Sequence, residues 1–308
     1  MSSGVVNDTY ATVQRVQSIA VNLQLPRTEQ RVLGRFKPLN DRPVLNYTPV
    51  SLSVSYNEGN KDVERNLGLL NPTGLLVQIG QNTDVTNWGA RSFKIYNAPI
   101  NSQTYAGQWN VVTGVLKSFS LAGSVGGVVE GSFTVQAIDF QQVANNSART
   151  VPSYSGQVVK SENISITGIN FTGLGLSGLT TQSFSFQTNI NHGETFQLGT
   201  KYPTRRITDG TATLQLVGYM EGTTNTVTTL SGYDNGAALN GTYVLALTPN
   251  CNSEPATTIT LVNPYLESMS FGARVGAYTE INLGFSIPLT TVPVEATGAG
   301  YGSNVTIT

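Results

Sequence analysis

Residues 116–126 have the sequence Leu-Lys-Ser-Phe-Ser-Leu-Ala-Gly-Ser-Val-Gly, and residues 266–276 have the sequence Leu-Glu-Ser-Met-Ser-Phe-Gly-Ala-Arg-Val-Gly. The stretches share Leu, two Ser, Val and Gly at matching positions, and a glutamate follows each at the same distance, Glu130 and Glu280. Apolar and small polar residues alternate at the start of both. Because successive side chains of a strand point to opposite faces of a sheet, both are predicted to contain strands with one buried face.

Two further blocks recur in the same order along the chain. Residues 33–38, Leu-Gly-Arg-Phe-Lys-Pro, correspond to residues 198–203, Leu-Gly-Thr-Lys-Tyr-Pro. The Tyr-Asn-Glu-Gly of residues 56–59 corresponds to the Tyr-Met-Glu-Gly of residues 219–222. Blocks repeated in a fixed order indicate an internal repeat. We therefore predict a tandem duplication with its hinge in residues 148–157, where proline, serine and glycine gather.

Alternation continues over much of the chain, and one segment departs from it. Further strands are predicted in residues 50–56, 132–137, 183–187 and 281–287. Between residues 57 and 70, Val63, Leu67 and Leu70 instead follow the spacing of one helical face. The sequence thus predicts a mainly β protein with a short helix near residues 60–70.

Composition restricts the class of protein. Only 11% of the 308 residues are charged, so serine, threonine, asparagine, glutamine and glycine must form much of the polar surface. The formal charge of −1 argues against a nucleic-acid-binding protein, which needs a basic face. The N-terminus lacks the apolar core of a signal peptide, and no apolar run approaches the length of a membrane span. The sequence predicts a protein that folds in the cytoplasm.

The segment 116–135, Leu-Lys-Ser-Phe-Ser-Leu-Ala-Gly-Ser-Val-Gly-Gly-Val-Val-Glu-Gly-Ser-Phe-Thr-Val, resembles bacteriophage major tail proteins, the tail tube family. In that family a strand, a short Val-Gly turn and a strand with alternating Ser or Thr form a hairpin near the end of the module. The strand, extended loop, second strand and helix predicted before it follow the same order. The resemblance is one of pattern and spans nearly the whole chain, although the Thr-rich residues 223–231 lack a helical pattern in the second copy.

The resemblance implies a fold of two tandem β-sandwich or half-barrel modules with at least one short flanking helix. It places the first module in residues 1–150, the second in residues 158–296 and a C-terminal tail in residues 297–308. In such proteins strands of neighbouring subunits join into a continuous barrel around a channel, and the rings stack. Closing a barrel removes its edge strands, which are the aggregation-prone parts of β proteins.

The implied function is that of a structural virion protein, a tail tube subunit around a channel for genome passage. The implied partners are the chain itself, as a trimer or hexamer with pseudo-sixfold symmetry, and stacked rings. A tail sheath or baseplate and a tape measure protein are further implied partners, with DNA only in transit and no membrane. The implied location is the tail of the virion, assembled in the host cytoplasm.

Basic residues concentrate in the loop blocks of both copies. We predict that they contact acidic residues of the next ring, where complementary charge fixes register, or alternatively form solvated hairpins with local partners such as Glu29, Asp41, Glu194 and Asp209. These candidate contact residues are Arg27, Arg31, Arg35, Lys37, Arg42, Lys201, Arg205 and Arg206.

Residues capable of catalysis are sparse. The only histidine, His192, is predicted to lie in a turn, and the only cysteine, Cys251, would have to pair with it to act as a nucleophile. A Ser-His-Asp triad would also depend on His192 and lacks a Gly-x-Ser-x-Gly elbow. The Gly-rich residues 123–127 and 173–178 are predicted turns or bulges. We therefore predict no enzyme, no cofactor and no metal site.

Two other classes of protein stay open on the sequence. One is another phage structural protein, such as a tail hub, a decoration protein or a fibre-associated protein. The other is a carbohydrate-binding β protein in which Trp88 and Trp109 line a sugar groove, or whose carboxylates meet as a catalytic pair.

Overall fold

The computed structural model describes residues 13, 15–23, 49–59, 61–67, 69, 91–97, 107–143, 158–169, 176, 178–195, 198, 205–220, 241–249, 257–272, 278–289, 292–293, 301–302 and 305–308. Its strands are β1 (Val16–Leu23), β2 (Val50–Asn57), β3 (Arg91–Asn97), β4 (Gly107–Ser124), β5 (Glu130–Val143), β6 (Ile164–Thr167), β7 (Thr180–Thr195), β8 (Arg205–Met220), β9 (Thr242–Leu247), β10 (Thr257–Val262), β11 (Tyr265–Gly272), β12 (Thr279–Pro288), β13 (Val292–Pro293), β14 (Tyr301–Gly302) and β15 (Val305–Ile307). Its helices are α1 (Asp62–Leu67) and a 3-10 turn (Ser161–Asn163).

The predicted mainly β class and its short helix are confirmed. Helix α1 lies inside the segment where the apolar stripe was found, and its stripe residues Val63 and Leu67 are buried. The rest of the stripe and the predicted hinge lie outside the described residues, as does the Thr-rich stretch 223–231. Within the predicted tail 297–308, Val305–Ile307 forms strand β15.

A large antiparallel sheet dominates the fold. Its strands lie in the order β1-β2-β5-β4-β7-β8-β12-β11, with β3 paired to the first part of β4. A second sheet has the order β15-β10-β9-β6, and β13 pairs with β14. The two larger sheets pack face to face, since Tyr243 of β9 meets Phe285 of β12 edge-on at 5.5 Å between ring centroids. The sandwich buries the alternating apolar side chains that the sequence pattern indicates.

Two groups of four adjacent strands in the large sheet have the same arrangement. The first four-strand unit is β1-β2-β5-β4, and the second four-strand unit is β7-β8-β12-β11. Taken in chain order, the strands of each unit lie side by side as first, second, fourth and third. The units meet where β4 pairs with β7, a pairing that we call the seam.

The pairing register of the two units is also the same. β4 and β5 pair with a bulge between Leu116 and Ser118, and β11 and β12 pair with a bulge between Leu266 and Ser268. Each registered pair of β11 and β12 has a counterpart 150 positions earlier in β4 and β5. The 116–126 and 266–276 blocks therefore correspond in strand pairing as well as in sequence.

The first two strands of each unit correspond in the same way. β1 and β2 pair with a bulge between Val16 and Ser18, and β7 and β8 pair with a bulge between Thr181 and Ser183. Because bulges locally change twist and register, a bulge at equivalent places in both units is a strong sign that the strands are equivalent.

One correspondence made from sequence is wrong by one residue. Asn57 lies opposite Glu130, and Tyr219 lies opposite Glu280, so Tyr219 is the equivalent of Asn57 and not of Tyr56. A slip of one residue exchanges the faces of a strand. Tyr56 is accordingly buried whereas Tyr219 is 39% exposed, and the shared Tyr-x-Glu-Gly letters do not mark equivalent positions.

Candidate functional site

The seam joins the two units through seven registered residue pairs, from Ser118 opposite Asn189 to Ser124 opposite Ser183. On the core face of the sheet, Leu121 lies opposite Phe186, and both side chains are completely buried. On the other face the pairs are polar or small. The seam is thus an apolar contact on one face and a solvated one on the other.

Thr188 closes one end of the seam. Its side chain is fully buried, and its Oγ1 both accepts from the backbone N–H of Phe119 and donates to the carbonyl oxygen of Phe119, each at 3.2 Å. A buried backbone group without a partner costs about 1–3 kcal/mol, so a hydroxyl that serves both groups stabilises the pairing of β4 with β7 one residue pair before the seam ends at Ser118 and Asn189. Sequence reasoning missed this residue, although Thr188 interrupts the apolar series Phe184, Phe186 and Ile190.

The outer sides of β1 and β11 form the two ends of the large sheet. Among the residues that the structure describes, no strand pairs with either outer side. Ile19 and Leu23 of β1 lie opposite buried residues of β2, yet they are 45% and 49% exposed. Phe271 of β11 lies opposite buried Ile281 and is 45% exposed. Each end of the sheet therefore presents apolar core-face side chains to solvent.

Among the described residues, the two end strands carry little of the usual protection of an edge strand beyond one bulge each, after Val16 in β1 and after Leu266 in β11. Natural edges are commonly blunted by lysine, proline or inward-pointing charge. β1 has the sequence Val-Gln-Ser-Ile-Ala-Val-Asn-Leu, and β11 has the sequence Tyr-Leu-Glu-Ser-Met-Ser-Phe-Gly, in which Glu267 is the one charged residue. Such edges favour pairing with another strand.

A buried polar cluster lies beside the first unit and consists of Arg15, Tyr56, Glu58, Glu64 and Thr257, which we call the carboxylate cluster. The Tyr56 hydroxyl donates to Glu64 Oε1 at 3.0 Å, and the Thr257 hydroxyl donates to Glu58 Oε1 at 3.0 Å. Arg15 Nε donates to the carbonyl oxygen of Asn57. The Thr257 contact joins residues 199 positions apart and so ties the second sheet to the first unit.

Burial favours the protonated form of one carboxyl group of the cluster, that of Glu64. Glu58 Oε2 and Glu64 Oε2 are buried and have no hydrogen-bond donor among the described residues. Burial, followed by the charge of Glu58 and a hydrogen bond with it, raises the pKa of Glu64 well above its usual range. A protonated Glu64 has a donor to offer within this buried cluster, which a carboxylate lacks.

Burial also governs the tyrosine of the cluster. It raises the pKa of Tyr56, with the neighbouring carboxyls acting in the same direction and Arg15 acting against them. The backbone packs closely around the side chains, since a Cβ on Gly59 would clash with the Arg15 guanidinium and a Cβ on Gly131 would clash with the Tyr56 ring. The cluster is therefore buried and closely packed, which suits a structural contact better than a site open to a substrate.

The predicted ring-contact residues lie mostly outside the described residues: Arg27, Arg31, Arg35, Lys37, Arg42 and Lys201. Arg205 and Arg206 are the first two residues of β8. In the ladder with β7, the backbone of Arg206 lies opposite that of Glu194. Glu194, a predicted local partner, thus lies next to Arg206, a predicted ring-contact residue, along the backbone of the ladder.

The other residues singled out from the sequence are placed as follows. His192 lies within β7 opposite Thr208, in a strand and not in a turn. Trp109 lies in β4 opposite Ile95, while Trp88 and Cys251 lie outside the described residues. No group of three metal-ligating side chains occurs among the described residues. Of the helices in the described part of the chain, none is long and apolar enough to cross a membrane.

Neither a protein-family model nor a curated protein matches this sequence significantly. Among the described residues, the seam, the two ends of the large sheet and the carboxylate cluster are the features that bear on function.

Proposed function

We propose that this chain is a structural subunit that assembles side by side with copies of itself, as a bacteriophage tail tube protein located in the virion. The observation that carries the proposal is the repeat of one four-strand unit, in the same register, within a sheet whose two end strands have no further partner strand among the described residues. One lateral contact between units is already made inside the chain. Repeating that contact between chains extends the wall.

The mechanism is geometric and needs no reacting group. A contact between two different edges is head-to-tail, and such contacts close into rings when the rotation per unit fits. Three chains with two units each would give a ring of six units. Closure would pair every edge and leave a channel for genome passage.

The remaining parts of the proposal concern stacking and neighbours. The loop residues predicted to contact the next ring keep that role in the proposal, and a tail sheath or baseplate and a tape measure protein are the proposed neighbours in the virion. The low charged fraction of 11% suits a subunit whose lateral surfaces carry little charge.

Negative-stain electron microscopy combined with light scattering over a concentration series tests the proposal. We expect rings or tubes with a central hole and a mass that rises with concentration to a closed species. Trimeric spikes without a hole would instead favour a hub or fibre-associated protein, and monomers that bind glycans would favour the carbohydrate-binding alternative. A mass that stays monomeric at every concentration overturns the proposal.

A further inference from the structure

We infer that the outer side of β11 in one copy pairs antiparallel with the outer side of β1 in a second copy, in the register of the internal seam. This inference rests on the proposed function and names the interface that performs it. The occupant of each open edge is another copy of this chain, because the seam shows the same two edges already paired.

The equivalence of the strands determines the register. β11 corresponds to β4, with Leu266 at the place of Leu116, and β1 corresponds to β7, with Ser18 at the place of Ser183. Carrying the seam pairs of β4 and β7 over to these strands gives a definite set of contacts between copies. The inferred pairs are Met269 with Leu23, Ser270 with Asn22, Phe271 with Val21, and Gly272 with Ala20.

The side chains brought together by this register are compatible on both faces. On the core face it joins two apolar pairs, and on the opposite face it joins a polar pair and a small pair. A slip by one residue would set Phe271 against Asn22 or Ala20 and would turn one strand over. The register taken from the seam is therefore also one that the chemistry of both edges supports.

Burial supports the same assignment. In the seam, Leu121 and Phe186 are 0% exposed, while Phe271, the equivalent of Leu121, is 45% exposed at the open edge. Val21, the equivalent of Phe186, is half-buried. Phe271 and Val21 are thus partly exposed at the sheet ends, whereas their equivalents in the seam are buried. This difference is expected if another copy completes the contact.

A disulfide between Ser270→Cys and Asn22→Cys tests the inference, in a chain that also carries Cys251→Ser. The equivalent seam pair is Ser120 with Gln187. The backbone N–H and C=O of Phe119 point toward β7, and those of the next residue, Ser120, therefore point away from β7. Ser120 and Gln187 thus form a pair without backbone hydrogen bonds between them. A non-hydrogen-bonded pair of this kind has a Cα separation of about 4.5 Å, within the range of disulfides.

The reference is the intrachain pair Ser120→Cys with Gln187→Cys, and the slip controls are Ser268→Cys with Asn22→Cys and Ser270→Cys with Ala20→Cys. The slip pairs are diagonal, about 7–8 Å apart, and beyond normal disulfide reach. Under mild oxidation we expect covalent dimers and trimers from the in-register pair, at an efficiency near that of the reference and about tenfold above the slip controls.

Each other outcome counts against the inference in a recognisable way. Slip controls that cross-link as well as the in-register pair overturn the register, and covalent dimers from Asn22→Cys alone overturn it in favour of two β1 edges pairing with each other. Rings that form without any cross-link overturn the inference while leaving the proposed function intact. If the Cys251→Ser parent is monomeric at all concentrations, the proposed function itself fails.

Discussion

Replacing Glu64 by glutamine should change how the stability of the protein depends on pH. Glu64 is fully buried, and its pKa is raised by burial and by Glu58. Glutamine keeps the shape of the side chain. Its carbonyl oxygen can still accept from the Tyr56 hydroxyl, and its amide supplies a donor where a protonated carboxyl would supply one. The variant therefore removes the titration and preserves the hydrogen bonds.

The sign and size of the effect follow from proton linkage. Because the pKa of Glu64 is raised, the folded protein keeps a proton that the unfolded chain has released above about pH 4.3. The stability contributed by this proton is complete below that pH and is lost as the pH rises toward the folded-state pKa. Within that window the free energy of unfolding falls by about 1.4 kcal/mol for each pH unit.

Urea unfolding of dilute, monomeric wild type and Glu64→Gln at half-unit pH steps from 4 to about 8 measures the effect. We expect the difference in unfolding free energy between the two proteins to fall by about 1.4 kcal/mol per pH unit at the start of the window. Glu130→Gln, which removes an exposed carboxyl, is the control. Parallel curves for wild type and Glu64→Gln, or the same slope change in the control, would refute the raised pKa of Glu64.

Three further substitutions test other parts of the structure. Thr188→Val should lower the free energy of unfolding by about 1–3 kcal/mol, since two hydrogen bonds to buried backbone are lost, whereas exposed Thr180→Val should change it by less than about 0.5 kcal/mol in the same urea assay. Gly131→Ala should cost about 1–3 kcal/mol in thermal or urea unfolding, because its Cβ would clash with the buried tyrosine opposite it in β2; an unchanged midpoint contradicts the packing. Phe271→Asp should abolish assembly in light scattering without lowering monomer stability, while Tyr278→Asp, at another exposed aromatic, should leave assembly intact.

Local features of the fold could be predicted from the sequence because their signals are local. The alternating residues of β2 and β12 and the stripe of α1 depend only on neighbours along the chain. The block 116–126 and its repeat succeeded for a related reason, since the same residues produce the same bulge in both hairpins. The predicted correspondence of residues 56–59 with residues 219–222 was wrong because the matching letters are one position out of register. Neighbouring positions of a strand lie on opposite faces of the sheet.

Pairings between distant segments could not be predicted in this way. Nothing in the residues around Glu58 indicates that Thr257, 199 positions later, supplies its hydrogen bond. The raised pKa of Glu64 depends on burial that only the packed sheets create. The seam likewise joins β4 and β7 through the sides that face away from their own hairpin partners, β5 and β8, which no local pattern indicates. The charges of the loops are visible in the sequence. The position of β1 and β11 at the ends of the large sheet depends on the order of the strands, which the sequence does not show.

Fusing two units in one chain changes how strong the contact between copies has to be. Each free body that joins a ring loses translational and rotational freedom worth about 4–15 kcal/mol, and a ring of six units built from three chains has half as many free bodies as one built from six. The seam needs no such compensation because its strands are covalently linked. In the proposed ring, the contact between copies can therefore bury less apolar surface than six separate units would require. The inferred pair of Phe271 with Val21 is smaller than the seam pair of Leu121 with Phe186 by one methylene group, because each pair has one phenylalanine and valine takes the place of leucine. In that proposal the interface assembles reversibly at low concentration and becomes stable only when the ring closes and every edge is paired.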